Sequence, residues 1–205
     1  MRSTDKRTFL DEARRAQIVA CAIEVIAEKG YANSSLSQIA ERAGTSKGVI
    51  LYHFAGKDEL IEKVVAEVFT VATAQLLPKL QSESTACGQL RAYIEARVGF
   101  LTTHLAHMRA LMDIWLSYRA PDGGMRLAGA GEPTLDGIEQ LLARGQRDGE
   151  FRKFPTRPMA VAIGQAIDGA LLQLVAHPDM DLDAFAAELV MIFDLATASS
   201  SRRQK

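Results

Sequence analysis

Residues 34–60 read SSLSQIAERAGTSKGVILYHFAGKDEL, and this stretch decides the fold. Ser35 can cap a helix, and Gln38 three residues later completes a capping box, the reciprocal pairing that satisfies two otherwise orphaned N–H groups. Leu36, Ile39, Ala40 and Ala43 then share one helical face. Gly44 follows where a helix must end in a left-handed residue, which glycine adopts without a Cβ clash. Ser46 caps the next helix, and Ile50 and Phe54 supply its inner side. Two short helices joined by a tight Gly-containing turn form a helix-turn-helix, a motif whose second helix can lie in a DNA major groove.

Outward from this core, a helix over about 11–29 carries Ile18, Val19, Ala22, Ile23 and Ile26 on one stripe and stops at Gly30. Residues 1–10 read as a loose polar arm. A long helix starts near Lys57 and runs toward Pro78, with Val64, Val65, Val68, Phe69, Ala72 and Leu76 along its buried side. Further helices are expected over about 85–104, 107–119, 132–148, 156–176 and 181–198. The glycine-rich stretch 121–131 reads as an irregular loop, and 199–205 as a frayed tail. No segment alternates with period two over strand length. The expectation is therefore an all-α fold of about nine helices. It divides into a three-helix helix-turn-helix domain over 1–56 and a larger helical domain over 57–205.

At 205 residues with 48% hydrophobic and 24% charged content, the chain has the composition of a folded globular protein. The net charge of −1 gives no global attraction to nucleic acid. Through Lys57, however, nine basic residues face six acidic ones, so that segment is +3 and the remainder −4. Cys21 and Cys87 form no CxxC pair and read as buried free thiols of a reducing cytoplasm. The first residues are charged, with no apolar signal region. No apolar run is expected to approach the ~18–20 residues that span a bilayer.

The segment 34–60 resembles the TetR family of bacterial transcriptional regulators. Ile39-Ala40, Ala43-Gly44, Ser46-Lys47-Gly48, Tyr52-His53-Phe54 and Lys57-Asp58-Glu59-Leu60 stand at the family's spacing. Many members have tyrosine at the position of Leu51. Here it is next door, at Tyr52, in an SKGVxxYHF pattern associated with one subset. The resemblance implies a homodimer bound to double-stranded operator DNA, and a C-terminal domain that encloses a small-molecule inducer and dimerises.

On that reading the DNA-binding candidates are Ser34, Ser35, Ser46, Lys47, Gly48, Val49, Tyr52, His53 and Lys57. Lys47 reaches a guanine edge or a phosphate, Gly48 permits close backbone approach, and Val49 can pack on a thymine methyl. Tyr52, His53 and the serines suit backbone contacts, and Lys57 stands at a helix start that attracts phosphate. Arg2, Lys6 and Arg7 could reach an adjacent minor groove. Against this, the serines can be plain caps and Lys57 a surface ion-pair partner.

Candidate ligand-lining residues are Tyr93, Arg97, Phe100, Met112, Asp113, Trp115, Tyr118, Leu135, Ile138 and Gln165. Met and aromatic groups suit a bulky apolar ligand. Asp113, Glu95 or Asp168 could neutralise a cationic one, with Trp115 adding a cation–π contact. The alternative is ordinary core. The last two helices are apolar on more than one face. Ala162, Ala166, Gly169, Ala170, Phe185, Leu189, Ile192 and Phe193 fit either burial within one chain or a two-fold four-helix bundle, and the resemblance implies the bundle. His104 and His107 lie three apart at an expected helix junction and lack a third metal ligand. No nucleophile–base pair or phosphate-binding loop is legible, so neither catalysis nor a cofactor is expected. The rival readings are an activator or ligand-independent DNA binder, and, more distantly, a carrier or enzyme with a vestigial helix-turn-helix.

Overall fold

The computed structural model describes the backbone of residues 2–118 and 132–199, and the side chains of 10–118 and 135–199. The described residues form eight helices and no strand: α1 Arg2–Lys29, α2 Leu36–Arg42, α3 Lys47–His53, α4 Lys57–Gln81, α5 Ala86–Ser117, α6 Glu132–Arg147, α7 Thr156–Ala176 and α8 Leu182–Thr197. The expected loop 121–131 and tail 200–205 lie outside the described residues, as do the side chains of Arg2, Lys6 and Arg7.

Two boundaries correct the sequence reading, and one junction agrees with it. The expected polar arm is helical from Arg2, because residues 2–10 contain neither Gly nor Pro to stop α1. The helices expected over 85–104 and 107–119 meet at a kink within α5, where His104 leaves helical geometry at φ −131° and ψ 37°, so the expected junction is present. Written as one element across that kink, the pair makes eight labelled helices among the described residues. Pro78 does not end α4. Its missing N–H costs one bond, but its carbonyl still accepts the Ser82 N–H at 3.1 Å, so the last turn closes.

The chain divides into two compact units, Met1–Val71 with His104–Gly124, and Ala72–Thr103 with Met125–Lys205. Helices α4 and α5 therefore contribute to both. In the first unit, α1, α2 and α3 pack together around Ile18, Ala22, Ile23, Ile26, Ile39, Ile50 and Phe54, all essentially removed from water. Leu60, Ile61, Val64 and Val68 of α4, with Ala110 and Ile114 of α5, are buried in the same unit.

In the second unit, α6 packs along α7, and α7 along α8. Ile138 and Leu142 of α6, Ala160, Ile163, Ile167 and Ala170 of α7, and Leu189 and Phe193 of α8 are buried. Thr156 donates to Glu139 at 2.8 Å, and Arg157 pairs with Asp136 at 2.6 Å, joining α7 to α6. Glu150 accepts from the Ala86 and Cys87 amides at 3.0 Å each, so its carboxylate satisfies the start of α5. Both cysteines are free, as expected, although Cys21 is only half-buried.

Helix α7 corrects one further expectation. By length and composition alone it is long and apolar enough to cross a membrane, though only a third of that stretch is buried. Its Ile, Leu, Val and Ala residues raise the average hydropathy, although Gly164, Gln165, Asp168 and Gly169 interrupt the run.

Candidate nucleic-acid interface

The three-helix head is set by its caps. Ser35 accepts the Gln38 N–H at 3.3 Å and Gln38 returns its side-chain oxygen to the Ser35 N–H at 2.8 Å, so the capping box forms as read from sequence. Gly44 takes φ +60° in the turn, and Ser46 accepts the Val49 N–H at 3.3 Å to start α3. With Ile50 turned into the core and Phe54 anchoring the C-cap, the opposite side of α3 is left to solvent. Lys47, Gly48, Leu51 and Tyr52 are exposed there, Tyr52 at 72% of its surface, and Val49 is half-buried. The Tyr52 ring meets His53 edge-on, with centroids 5.0 Å apart.

Two of the nine candidates point elsewhere. Ser34 is 2% exposed and donates its hydroxyl to the Tyr31 carbonyl at 2.7 Å, which leaves Ser35 as the solvent-facing hydroxyl of the pair. Lys57 is half-buried. Its Nζ donates to the Tyr31 carbonyl at 2.9 Å and lies 4.2 Å from the Tyr31 ring centroid, and burial pushes its pKa down. The start of α4 already holds an anion, since Glu59 accepts the Ala55 N–H at 2.7 Å. Sequence reasoning passed over Leu51, an exposed apolar side chain on the outer face of α3. The only available signal was its departure from the expected tyrosine.

Arg42 is also committed. It pairs with Glu24 at 3.0 Å and with Glu28, tying the end of α2 to α1. The local positive excess is therefore smaller at the exposed face than in the sequence count.

The surface this leaves is a short helix with a lysine, a glycine, two apolar groups and a phenol projecting outward from a rigid trihelical base. Residues 18–64 match the family described as bacterial regulatory proteins, tetR family. The helix-turn-helix segment is thus similar to that family. The chain is 31% identical over 108 residues to the HTH-type transcriptional regulator BetI of Cronobacter sakazakii, a match covering 51% of this chain and 52% of that protein. It is 27% identical over 171 residues to BetI of Escherichia coli strain S88, covering 80% of this chain and 83% of the relative. The chain thus spans about half the length of the first relative and most of the second.

Two solved structures share the fold. They are the fatty acid degradation regulator FadR from Bacillus halodurans, with TM-score 0.78, 19% identity, and coverage of 87% of this chain and 93% of that one, and FadR from Bacillus subtilis in complex with stearoyl-CoA, with TM-score 0.76, 22% identity, and coverage of 86% and 96%. These sequence relatives are transcriptional regulators.

The ten ligand candidates fall in both units. Met112, Asp113, Trp115 and Tyr118 belong to the first, and Tyr93, Arg97, Phe100, Leu135, Ile138 and Gln165 to the second. The Asp113 carboxylate accepts the Tyr31 N–H. Tyr93, Phe100 and Ile138 are buried, whereas Gln165 is exposed. Arg97 pairs with Asp168 at 3.3 Å. Burial raises the Asp168 pKa and Arg97 opposes that rise. Burial also raises the Tyr93 phenol. A cleft of about 410 Å³ lies elsewhere in this unit, lined by Thr85, Cys87, Gly88, Arg91 and Glu150, none of them a ligand candidate. His104 and His107 stack edge-on 5.1 Å apart, and among the described residues no cluster suits a metal.

Of the eight dimer candidates, Ala170, Leu189 and Phe193 are buried within the chain, and Ala162 and Ile192 are exposed. Ala166, Gly169 and Phe185 are half-buried. The exposed apolar groups on α7 and α8 are Val161, Leu172, Val175, Met191, Ile192 and Leu195.

Proposed function

We propose that this protein is a homodimeric, cytoplasmic transcriptional repressor of the SKGVxxYHF subset, released from a near-palindromic operator by a small, largely apolar ligand, with or without a cationic group. The observation that carries the reading is the outward face of α3, where Lys47, Gly48, Leu51 and Tyr52 are exposed on a helix held from behind by Ile50 and Phe54. Residues 1–56 act as the reader, and 57–205 sense ligand and dimerise. Lys47 reaches a guanine edge or a phosphate, Gly48 and Val49 approach base edges, and Ser35, Ser46, Tyr52 and His53 contact the backbone.

Exposed apolar surface on the last two helices supports dimerisation. Leu172 is 59% and Leu195 62% exposed, and with Val175, Met191 and Ile192 they form apolar surface on two neighbouring helices. Surface of that kind marks an interaction site. A second copy covers it with the same residues, as a two-fold axis requires. Such a dimer presents two copies of α3 to half-sites about 34–36 Å apart.

The FadR relative of B. subtilis is described with stearoyl-CoA, which supports an apolar inducer for a fold of this type. Release requires that the ligand favour the non-binding shape of the dimer, because equal affinity for both shapes shifts nothing.

The deciding experiment selects duplexes from sheared genomic DNA at low salt and then titrates the winner. We expect a palindromic motif. We also expect affinity to fall roughly 10³–10⁵-fold between about 50 and 200 mM salt, as for a protein neutralising 6–10 phosphates. Failure to enrich any duplex overturns the reading.

A further inference from the structure

The turn between α1 and α2 is gripped at one residue by side chains distant in sequence. Tyr31 donates its backbone N–H to the carboxylate of Asp113, on α5, 82 residues away. Its carbonyl accepts Lys57 Nζ at 2.9 Å and the Ser34 hydroxyl at 2.7 Å. Its ring lies under the Lys57 ammonium at 4.2 Å and meets the Tyr118 ring edge-on at 5.5 Å and 85°. Gly30, with φ +80°, ends α1 here, and a Cβ on it would stand 3.4 Å from Asp113 Oδ2. The backbone donor, the backbone acceptor and the ring of a single residue are thus each held.

The placement of this grip gives it a purpose. Beyond Tyr31 the chain reaches Ser34, buried, and Ser35, the N-cap of α2. Fixing Tyr31 fixes where α2 begins, and α3 packs on α2. The helices α1, α2 and α3 also share buried apolar residues among themselves, apart from the Asp113 contact. Asp113 sits on the same helix that supplies residues 86–103 to the other unit.

We propose that Asp113 is a positioning residue for operator binding: through Tyr31 it sets the α1–α2 turn, and with it the α2–α3 pair that meets DNA. This rests on the DNA-binding reading above. Lys57 completes the grip from α4 and acts on Tyr31 rather than on phosphate.

The test uses the full-length chain and the selected operator duplex, with binding followed by fluorescence anisotropy and turn dynamics by amide hydrogen exchange. Asp113→Ala removes the acceptor and is expected to weaken binding about tenfold, in line with loss of a charge-assisted hydrogen bond. Asp113→Asn keeps a carbonyl oxygen for the Tyr31 N–H and is expected to restore most of that loss. Exchange at Tyr31–Ser35 should quicken in the Ala variant and return toward wild type in the Asn variant, while amides of α1's buried half stay protected. Lys57→Met combined with Asp113→Ala should weaken binding by less than the product of the single effects, because both act on Tyr31.

The proposal is overturned if Asp113→Ala binds like wild type, or if Ala and Asn variants lose binding equally with turn exchange unchanged. Should Asp113→Ala fail to fold, the Asn variant decides: retained affinity and turn protection support the proposal, and lost affinity with a wild-type turn overturns it. If wild type enriches no duplex, the DNA-binding reading fails, while the exchange comparison still judges the grip on the turn.

Discussion

Arg15 lies over the Phe54 ring, its guanidinium carbon 4.5 Å from the ring centroid, and the same side chain donates to the backbone carbonyl of His53. The cation therefore sits at the C-terminal end of α3, where the helix leaves unsatisfied carbonyls and partial negative charge. Its other nitrogen reaches Glu59 at 3.2 Å, so α1, α3 and α4 meet at one side chain. Arg15→Met keeps most of the aliphatic contact but loses the charge and the cap. Because the site is partly exposed, we expect a loss of about 1–2 kcal/mol, read from urea denaturation. A variant as stable as wild type would mean that α3 is held by its apolar side alone.

Operator binding is tested on α3 itself. Lys47→Ala should weaken operator affinity and reduce the salt slope by about 2, because each half-site of a dimer then faces one cation fewer. Tyr52→Phe removes only a hydroxyl and should weaken binding by a smaller factor. Both should leave sedimentation unchanged. Two variants that bind normally with an unaltered salt slope would move the DNA-reading surface away from this face.

The head was legible because its signals are local. Ser35 with Gln38, Gly44 and Ser46 each act within a few residues, and each cap formed where the spacing placed it. The roles of Lys57 and Asp113 were not legible. Both converge on Tyr31 from 26 and 82 residues away, and no local pattern encodes such a meeting. The junction near His104 was legible too, and the backbone leaves helical geometry there. Helices α7 and α8 posed a different problem. With apolar residues on two faces, periodicity cannot say which face turns inward. Leu189 and Phe193 proved to be internal, while Leu172, Met191 and Leu195 stand outside.

That outer face carries the dimer prediction. Each substitution on a two-fold interface counts twice. Withdrawing one leucine costs about 1.5–3 kcal/mol. Leu172→Glu or Leu195→Glu should therefore weaken dimerisation by roughly 10²–10⁴-fold. Analytical ultracentrifugation should find single chains at micromolar concentration, with helicity retained. Dimers of unchanged affinity in both variants would place the interface elsewhere.

Acid sensitivity gives the last test. The Glu59 carboxyl lies below its usual value of 4.5, first because it accepts the Ala55 N–H and second because Arg15 stands beside it. A carboxylate depressed in the folded state contributes stability that is complete above its unfolded value and is lost as pH falls through the folded one. Glu59→Gln keeps an acceptor for Ala55 but has no charge to lose. The variant should therefore be less stable than wild type near pH 7, with the gap closing as pH drops below about 4.5. Glu28, held low mainly by its hydrogen bond to Arg42, titrates alike in both proteins and cancels from the difference. Urea midpoints from about pH 7 to pH 3 measure the gap directly. A constant offset across that range would show that the Glu59 charge makes no contribution to holding α4 against α1 and α3.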